Sequence, residues 1–350
     1  MPYGSGLSAQ IGVKAETTVG TQVVADRFYE LLSESLAFSP TWLDGQGLRA
    51  GQAYQRVART SQSRFTVGGE VSVEHADKGG MGLLWKHCLG SILTVPTQIG
   101  ATTAWKQNHH AGATSVKTGL GLTVQVGRPQ TDGTVKAHTY RGCKVVGWEF
   151  TVSDGALAQL KVTFDGWQED LAAGLASASY TAGAGVFSFS DAAVFKLGGT
   201  PSTAAAETTV AGGVSVATVV RSFTLRGSTP LATERYGLGN AGVKREQIEN
   251  AIPEITGTLE GEYTSQSEIY ALFKNNTTTA LELVLEHGLA GTAEPYELGF
   301  VLPACKILEG GPQVGGPDIV GQSINFKAYD DGTTNPVAQV RLVSTDTTLA

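Results

Sequence analysis

The stretch VGGEVSVEHADKGGMGLLWKH at residues 67–87 returns in altered form as ITGTLEGEYTSQSEIYALFKN at residues 255–275. The two stretches align without gaps at an offset of 188 residues. In both, alternating apolar and polar residues lead into a turn and then into an amphipathic segment. Four positions are identical: Gly69/Gly257, Glu74/Glu262, Leu84/Leu272 and Lys86/Lys274. Because strand, turn and helix signals fall in phase, we interpret the pair as an internal duplication.

The duplication continues downstream with a shorter spacing. YRGCKVV at residues 140–146 aligns with LPACKIL at residues 302–308, at an offset of 162. The smaller offset predicts an insertion in the first copy, which we place in the Gly-, Thr- and His-rich residues 94–118. We therefore expect a first module at 1–170 and a second at 216–350. Residues 171–215 would form an Ala/Gly/Ser-rich connection that includes the first strand of the second copy.

The composition favours strands over helices. Glycine accounts for 45 of 350 residues and charged residues for 16%, against about 25% in an average globular domain. Short alternating segments separated by Asp-Gly turns recur along the chain. We predict a mainly β protein with two tandem β-sandwich or barrel modules, each flanked by a short α-helix. Helices are predicted at 27–35, 82–89 and 265–275, the last with Ser265 as N-cap and Glu268 completing a capping box.

Charge and hydropathy exclude some classes of protein. The 25 Lys and Arg residues against 32 Asp and Glu give a net charge of −7, which disfavours a sequence-independent binder of nucleic acid. The longest uncharged runs contain Pro, Gly, Ser and Thr, so no membrane helix and no membrane partner are expected. No secretory signal is expected from the first residues. The three scattered cysteines predict reduced thiols.

Motifs that carry chemistry are weak. GLGNAG at residues 237–242 matches GxGxxG, but no strand precedes it, so a dinucleotide site is disfavoured. His109-His110 lacks a third ligand at metal-binding spacing. Asp330-Asp331-Gly332 is typical of a turn. We expect no enzyme, no cofactor and no metal site, although a hydrolase with an unrecognised site stays a weaker alternative.

Two features repeat in both copies. One is a set of small or acidic residues on the outward face of the aligned strands: Glu70, Ser72 and Glu74, then Thr256, Thr258, Glu260 and Glu262. The other is a long loop before each of these strands, at 44–64 and 227–253, with basic residues Arg49, Arg56, Arg59, Arg235, Lys244 and Arg245. An ordinary solvated sheet face and a mobile surface loop are the open alternatives; repetition favours an interaction role for the loops.

The chain resembles the tail tube (major tail) proteins of long-tailed bacteriophages. The resemblance lies in GVKAETTVGT at 12–21 followed by FYELLSESL, in YTAGAGVFSFSDAAVFKLGG at 180–199, and in VVRSFTLRGS at 219–228. It implies a subunit assembled in the host cytoplasm into the virion tail, where rings stack and genome DNA crosses the lumen without specific binding. The seven outward residues above would then face the lumen, and the six basic loop residues would contact the next ring.

The resemblance also implies partners and a ring size. Tape-measure, terminator and distal tail proteins are the expected partners besides the chain itself. Many members of the family have one module and form hexamers. Two modules per chain predict a ring of three chains, with six chains possible. The alternative function is a secreted or surface-attached β-sandwich module for binding or adhesion.

Overall fold

Antiparallel strands make up most of the chain in the computed structural model, which describes residues 4–90, 95–112, 116–216 and 218–349. The strands are β1 Gln10–Glu16, β2 Arg27–Tyr29, β3 Leu31–Glu34, β4 Ala37–Asp44, β5 Thr60–Glu74, β6 Thr97–Gln98, β7 Trp105–Ala111, β8 Gly121–Pro129, β9 Val135–Ser153, β10 Gln159–Gly166, β11 Gln168–Asp170, β12 Ala192–Leu197, β13 Thr200–Ala204, β14 Glu207–Ala211, β15 Val214–Ser215, β16 Val220–Ser228, β17 Glu254–Glu262, β18 Thr279–His287, β19 Tyr296–Glu309, β20 Gly321–Ala328 and β21 Ala338–Ser344. The helices are α1 Met81–Leu89 and α2 Ile269–Lys274, with 3-10 turns at Gly6–Ser8, Val57–Arg59 and Phe189–Asp191. The prediction of a mainly β protein is confirmed.

One sheet runs through both halves of the chain. Its order is β4, β5, β10, β9, β16, β17, β20 and β19, with β3 and β4 pairing with successive segments of β5. The pairing of β9 with β16 joins the two halves, from Gly147 opposite Ser228 to Ser153 opposite Ser222. We call this pairing the junction. All of these neighbours are antiparallel.

The strand order repeats on either side of the junction. In the first half the ladder continues β5, β10, β9, β8, β1, β2, and in the second half β17, β20, β19, β18, β12, β15. Register shifts occur at matching places. One follows Val145 in β9 and Ile307 in β19, both 162 residues apart, as in the sequence alignment. Such bulges bend a strand, and here they let β9 and β19 pass from one sheet layer to the other.

The hydrophobic core is continuous across the two halves. Trp85 of α1 is inaccessible to solvent, and its ring lies 5.2 Å from that of Trp148 and 5.7 Å from that of Phe300. Phe150 completes this aromatic cluster with its ring 4.5 Å from Phe300. Because Trp148 and Phe150 belong to β9 and Phe300 to β19, the core holds the halves together by burial of apolar surface.

The three predicted helices fare differently. The helix at 82–89 is confirmed as α1, whose side chains are buried except for Lys86. The helix at 265–275 is shorter than predicted, since α2 begins at Ile269 and the Ser265 hydroxyl bonds to Ser267 instead of capping. The helix at 27–35 is wrong: this segment forms β2 and β3, which pair with β1 and β5. Sheet pairing overrides the local helix preference of ELLSES.

The predicted insertion at 94–118 contributes to the other half of the chain. Its strand β7 pairs with β21, from Trp105 opposite Ser344 to Ala111 opposite Ala338, and β6 pairs with β7. The insertion therefore extends the sheet formed by β18, β19 and β21. Residues 94 and 113–115 of this prediction lie outside the described residues.

Candidate functional site

The seven predicted lumen residues lie on one polar face of the eight-stranded sheet. Cross-strand neighbours define the rows of this face: one row is Ser72, Lys161, Glu149, Arg226, Thr256 and Lys327. A second row is Glu74, Gln159, Thr151, Thr224, Thr258 and Asn325. Val71 and Leu259 alternate with these residues and are buried in the core, as the parity predicts. We call this surface the polar face.

The polar face carries cations that the sequence reading did not include, and each of them has an acidic partner. Lys161 lies 4.0 Å from Glu70 and 3.7 Å from Glu149, and Arg226 also bonds to Glu149. Arg221 lies 2.6 Å from Glu262. Lys327 pairs with Glu254. Glu74 and Glu260 add charge beyond these pairs, so glutamates outnumber the paired cations.

The two long loops are hairpins of nearly equal length. We define the first arm as residues 37–67 and the second arm as residues 226–255, which are 31 and 30 residues long. The first arm is a regular ladder as far as Asp44 opposite Thr60. The second arm is held by bridges between Leu231 and Glu249 and between Tyr236 and Lys244. The arms therefore correspond in topology but differ in regularity.

The second arm folds back onto the first half of the chain. The Lys244 ammonium lies 2.6 Å from Asp165 Oδ1, and the Trp167 indole N–H donates to Gln247 Oε1 at 2.8 Å. Lys144, whose side chain is inaccessible, donates to Glu246 Oε1 at 2.7 Å and to the Gln247 carbonyl at 2.8 Å. These contacts satisfy charges that burial would otherwise leave unpaired.

Burial perturbs the ionisation of this cluster. It lowers the pKa of Lys144 and raises the pKa of Asp165, the latter against the effect of the Lys244 ammonium. Lys117 donates to the Val145 carbonyl at 2.8 Å, and burial lowers its pKa to about 8. Burial alone would raise the pKa of Glu246, but bonds from the Gly119 N–H and Lys144 outweigh it and leave it lowered. The cluster is a packed structural contact.

The base of the first arm touches the second arm, but its outer part does not. The Tyr236 hydroxyl donates to the Phe65 carbonyl at 2.7 Å, and Arg64 pairs with Glu234 and stacks over the Tyr236 ring. Farther out, five large apolar side chains are exposed, Trp42 to 62%: Trp42, Leu43, Leu48, Tyr54 and Val57. An exposed cluster of this kind marks an interaction surface.

The predicted inter-ring residues divide by arm. Arg49, Arg56 and Arg59 lie on the exposed part of the first arm. On the second arm Arg245 is exposed, while Arg235 is half-buried and donates to the Glu246 carbonyl. Lys244 is buried and ion-paired inside the chain, so it is left out of the contacts proposed below.

The described residues offer little for catalysis or metal binding. They contain no group of three or more His, Cys, Asp or Glu side chains that could hold a metal ion. The GxGxxG match at 237–242 is at the tip of the second arm and opens no helix. Cys88, Cys143 and Cys305 are buried free thiols. Among the described helices, none is long and apolar enough to cross a membrane.

The comparison with protein families gives a match over nearly the whole chain. A family model described as phage tail tube protein matches residues 6–328. The chain belongs to the phage tail tube family. A comparison with curated proteins found no match.

Membership fixes the function at the level the family defines. The protein is a structural subunit of the tail tube and resides in the virion tail, where it assembles with itself and with other tail proteins. The alternative of a binding or adhesion module is not favoured. The polar face, the two arms and the edges of the sheet are the surfaces available for this assembly.

Proposed function

We propose that three chains close into a ring in which their eight-stranded sheets form one barrel, with the polar face lining the channel for DNA. The observation that carries the proposal is the repeated strand order on both sides of the junction. It supports a duplication with modules at about 1–170 and 216–350, so that each chain would supply two of six pseudo-equivalent positions.

The edges of the sheet support closure by the same type of contact. In the described part of the chain, β4 pairs only with β5, and Lys306–Glu309 of β19 pair only with β20. These edges correspond to the two strands of the junction, because β4 aligns with β16 and β19 with β9. The junction therefore serves as a template for the contact between chains.

The template includes a specific side-chain complement. In the junction, Trp148 lies opposite Gly227, where an added Cβ would meet the indole at 2.2 Å. Offsets of 162 and 189 residues carry these positions to Gly310 and Phe38. A large aromatic ring would again face a glycine, with the ring now on the other strand. Gly310 follows β19, and Phe38 lies in β4.

The size of such a barrel suits its cargo. Three chains with eight strands each, spaced roughly 4.8 Å apart, give a circumference of about 115 Å and a diameter of about 37 Å before strand tilt widens it. Duplex DNA carries one negative charge per ~1.7 Å. A wall in which glutamates outnumber paired cations would give the phosphates few attachment points.

Further contacts follow from the same arrangement. We assign Arg49, Arg56 and Arg59 on the first arm, with Arg235 and Arg245 on the second, to contacts with the next ring. Tape-measure, terminator and distal tail proteins would meet the tube along its lumen and at its ends. We assign the protein no catalytic activity and no cofactor.

The mass of a single ring tests the ring size. Native mass spectrometry of rings released from tubes is expected to give the mass of three chains. Six chains per ring would contradict the proposal, because only one module of each chain would then line the channel. Six chains would leave the tail tube function intact, so the two conclusions can fail separately.

A further inference from the structure

We infer that the outer part of the first arm docks on a neighbouring chain of the same ring, against a surface around Ile252, Lys327 and Tyr329. This inference rests on the proposed ring and names a lateral partner for an arm whose tip we assign to the next ring. The partner is a second copy of this chain.

The second arm supplies the geometry. It crosses the junction and covers the end of the polar face in the preceding module, where Gln247 receives the Trp167 indole N–H and Lys244 meets Asp165. An equivalent arrangement around the ring would bring the first arm over the second module of the next chain. The offset of 188 aligns Gln247 with Arg59, and the offset of 162 aligns Trp167 with Tyr329 and Asp165 with Lys327.

The two arms differ in the way that this arrangement requires. Leu231 of the second arm is buried, whereas Trp42, its counterpart at an offset of 189, is 62% exposed. The arms have nearly the same length, but only the second has a module before it in its own chain. The exposed apolar residues of the first arm therefore have a docking surface only on another chain.

The receiving surface is open and partly apolar. A groove of about 400 Å³ is lined by Leu89, Ile252, Pro253, Lys327, Tyr329 and Val337, among others. Ile252 is 84% exposed, and the tyrosine ring lies 5.7 Å from the Lys327 ammonium. Trp42 and Leu43 suit such a groove, because burial of aromatic and aliphatic surface drives association.

The charges of the two surfaces can also be matched. The arm carries Arg56 and Arg59 beyond its apolar residues. On the receiving side Lys327 is already paired with Glu254, and Asp330 and Glu309 are exposed acids close by in sequence. The ion pair of Lys244 with Asp165 has no direct counterpart, since Lys327 replaces the aspartate, so the arginines are expected to meet these acids instead.

Cysteine cross-linking tests the contact. The double variant Arg59→Cys with Tyr329→Cys places thiols at the counterparts of Gln247 and Trp167, and the native cysteines are buried. Tubes of this variant, treated with a short bismaleimide and denatured, are expected to yield cross-linked species that end at three chains. Mixtures of the two single variants are expected to give dimers that neither single variant gives alone. Arg59→Cys with Asp132→Cys is the matched control, expected to stay uncrosslinked.

Each outcome decides the question. A ladder that continues beyond a closed ring would place the contact between rings and overturn the inference. Tubes visible by electron microscopy without cross-links would overturn it as well. Species ending at six chains would support the lateral contact but refute the ring of three. If the double variant fails to assemble, the mixture of single variants with wild-type chains gives the same readout.

Discussion

At the junction, Gly227 has no room for a side chain because the Trp148 indole occupies the space above it. Gly227→Ala is expected to reduce the free energy of unfolding by about 1–3 kcal/mol, since the indole must leave its packed position. Gly147 is the matched control, because it lies in the same junction and an added Cβ there meets its nearest atom at 3.7 Å. Gly147→Ala is expected to change stability by less than about 1 kcal/mol. Urea unfolding of the two variants measures both; equal losses would contradict the template role of this pair.

Buried histidines make the fold sensitive to acid. Burial lowers the pKa of His75, His87 and His109 to about 3 each. Between the unfolded value of 6.5 and about 3, the unfolded chain binds protons that the folded chain does not, so stability falls as the pH drops through this window. His87→Leu removes one such site. The loss of unfolding free energy between pH 7 and pH 4.5 is expected to be smaller in this variant than in the wild type. An identical loss in both would show that His87 is protonated in the fold.

At the scale of elements, the two arms are expected to respond oppositely to alteration. Replacing residues 45–59 by Asn-Gly removes exposed residues only, so the free energy of unfolding should stay within about 0.5 kcal/mol of wild type while rings no longer form. Glu246→Ala leaves the buried Lys144 without its carboxylate, an effect of about 2–4 kcal/mol because Glu246 is itself 30% exposed. Thermal unfolding and electron microscopy separate the two effects. Tubes formed by the shortened variant would rule out an assembly role for the first arm.

The elements also show what sequence reading could and could not find. Alternation located β5 and β17, and the apolar spacing located α1, because both patterns report which face is buried. The segment at 27–35 has equal claims to helix and strand, and only its pairing with β1 and β5 decides between them. Lys144 and Lys244 suggest solvent in the sequence. Their burial depends on Glu246, Gln247 and Asp165, which are distant in the chain and unite only when the second arm folds back.

For the whole molecule, the polar face decides how the tube meets its cargo. Glu70, Glu74 and Glu260 lie on this face, and replacing all three by Lys would turn an acid-rich wall into a basic one. Folding should change little, since exposed charges contribute about 0–1 kcal/mol each. Glu262 is left in place because it neutralises Arg221. Phosphates would then find unpaired ammonium groups along the channel, so DNA ejection should be slower, and more so at low salt where screening is weaker.

The control for this experiment keeps the change in net charge and alters only its location. Glu30, Asp132 and Glu286 are exposed acids outside the polar face, and their replacement by Lys adds the same charge to the subunit. Ejection from phages with the control subunit should match wild type at every ionic strength. If both variants slow ejection equally, the effect follows net charge and the polar face is not the channel wall. If only the control slows it, the sheet faces the opposite way, with the polar face on the outside of the tube.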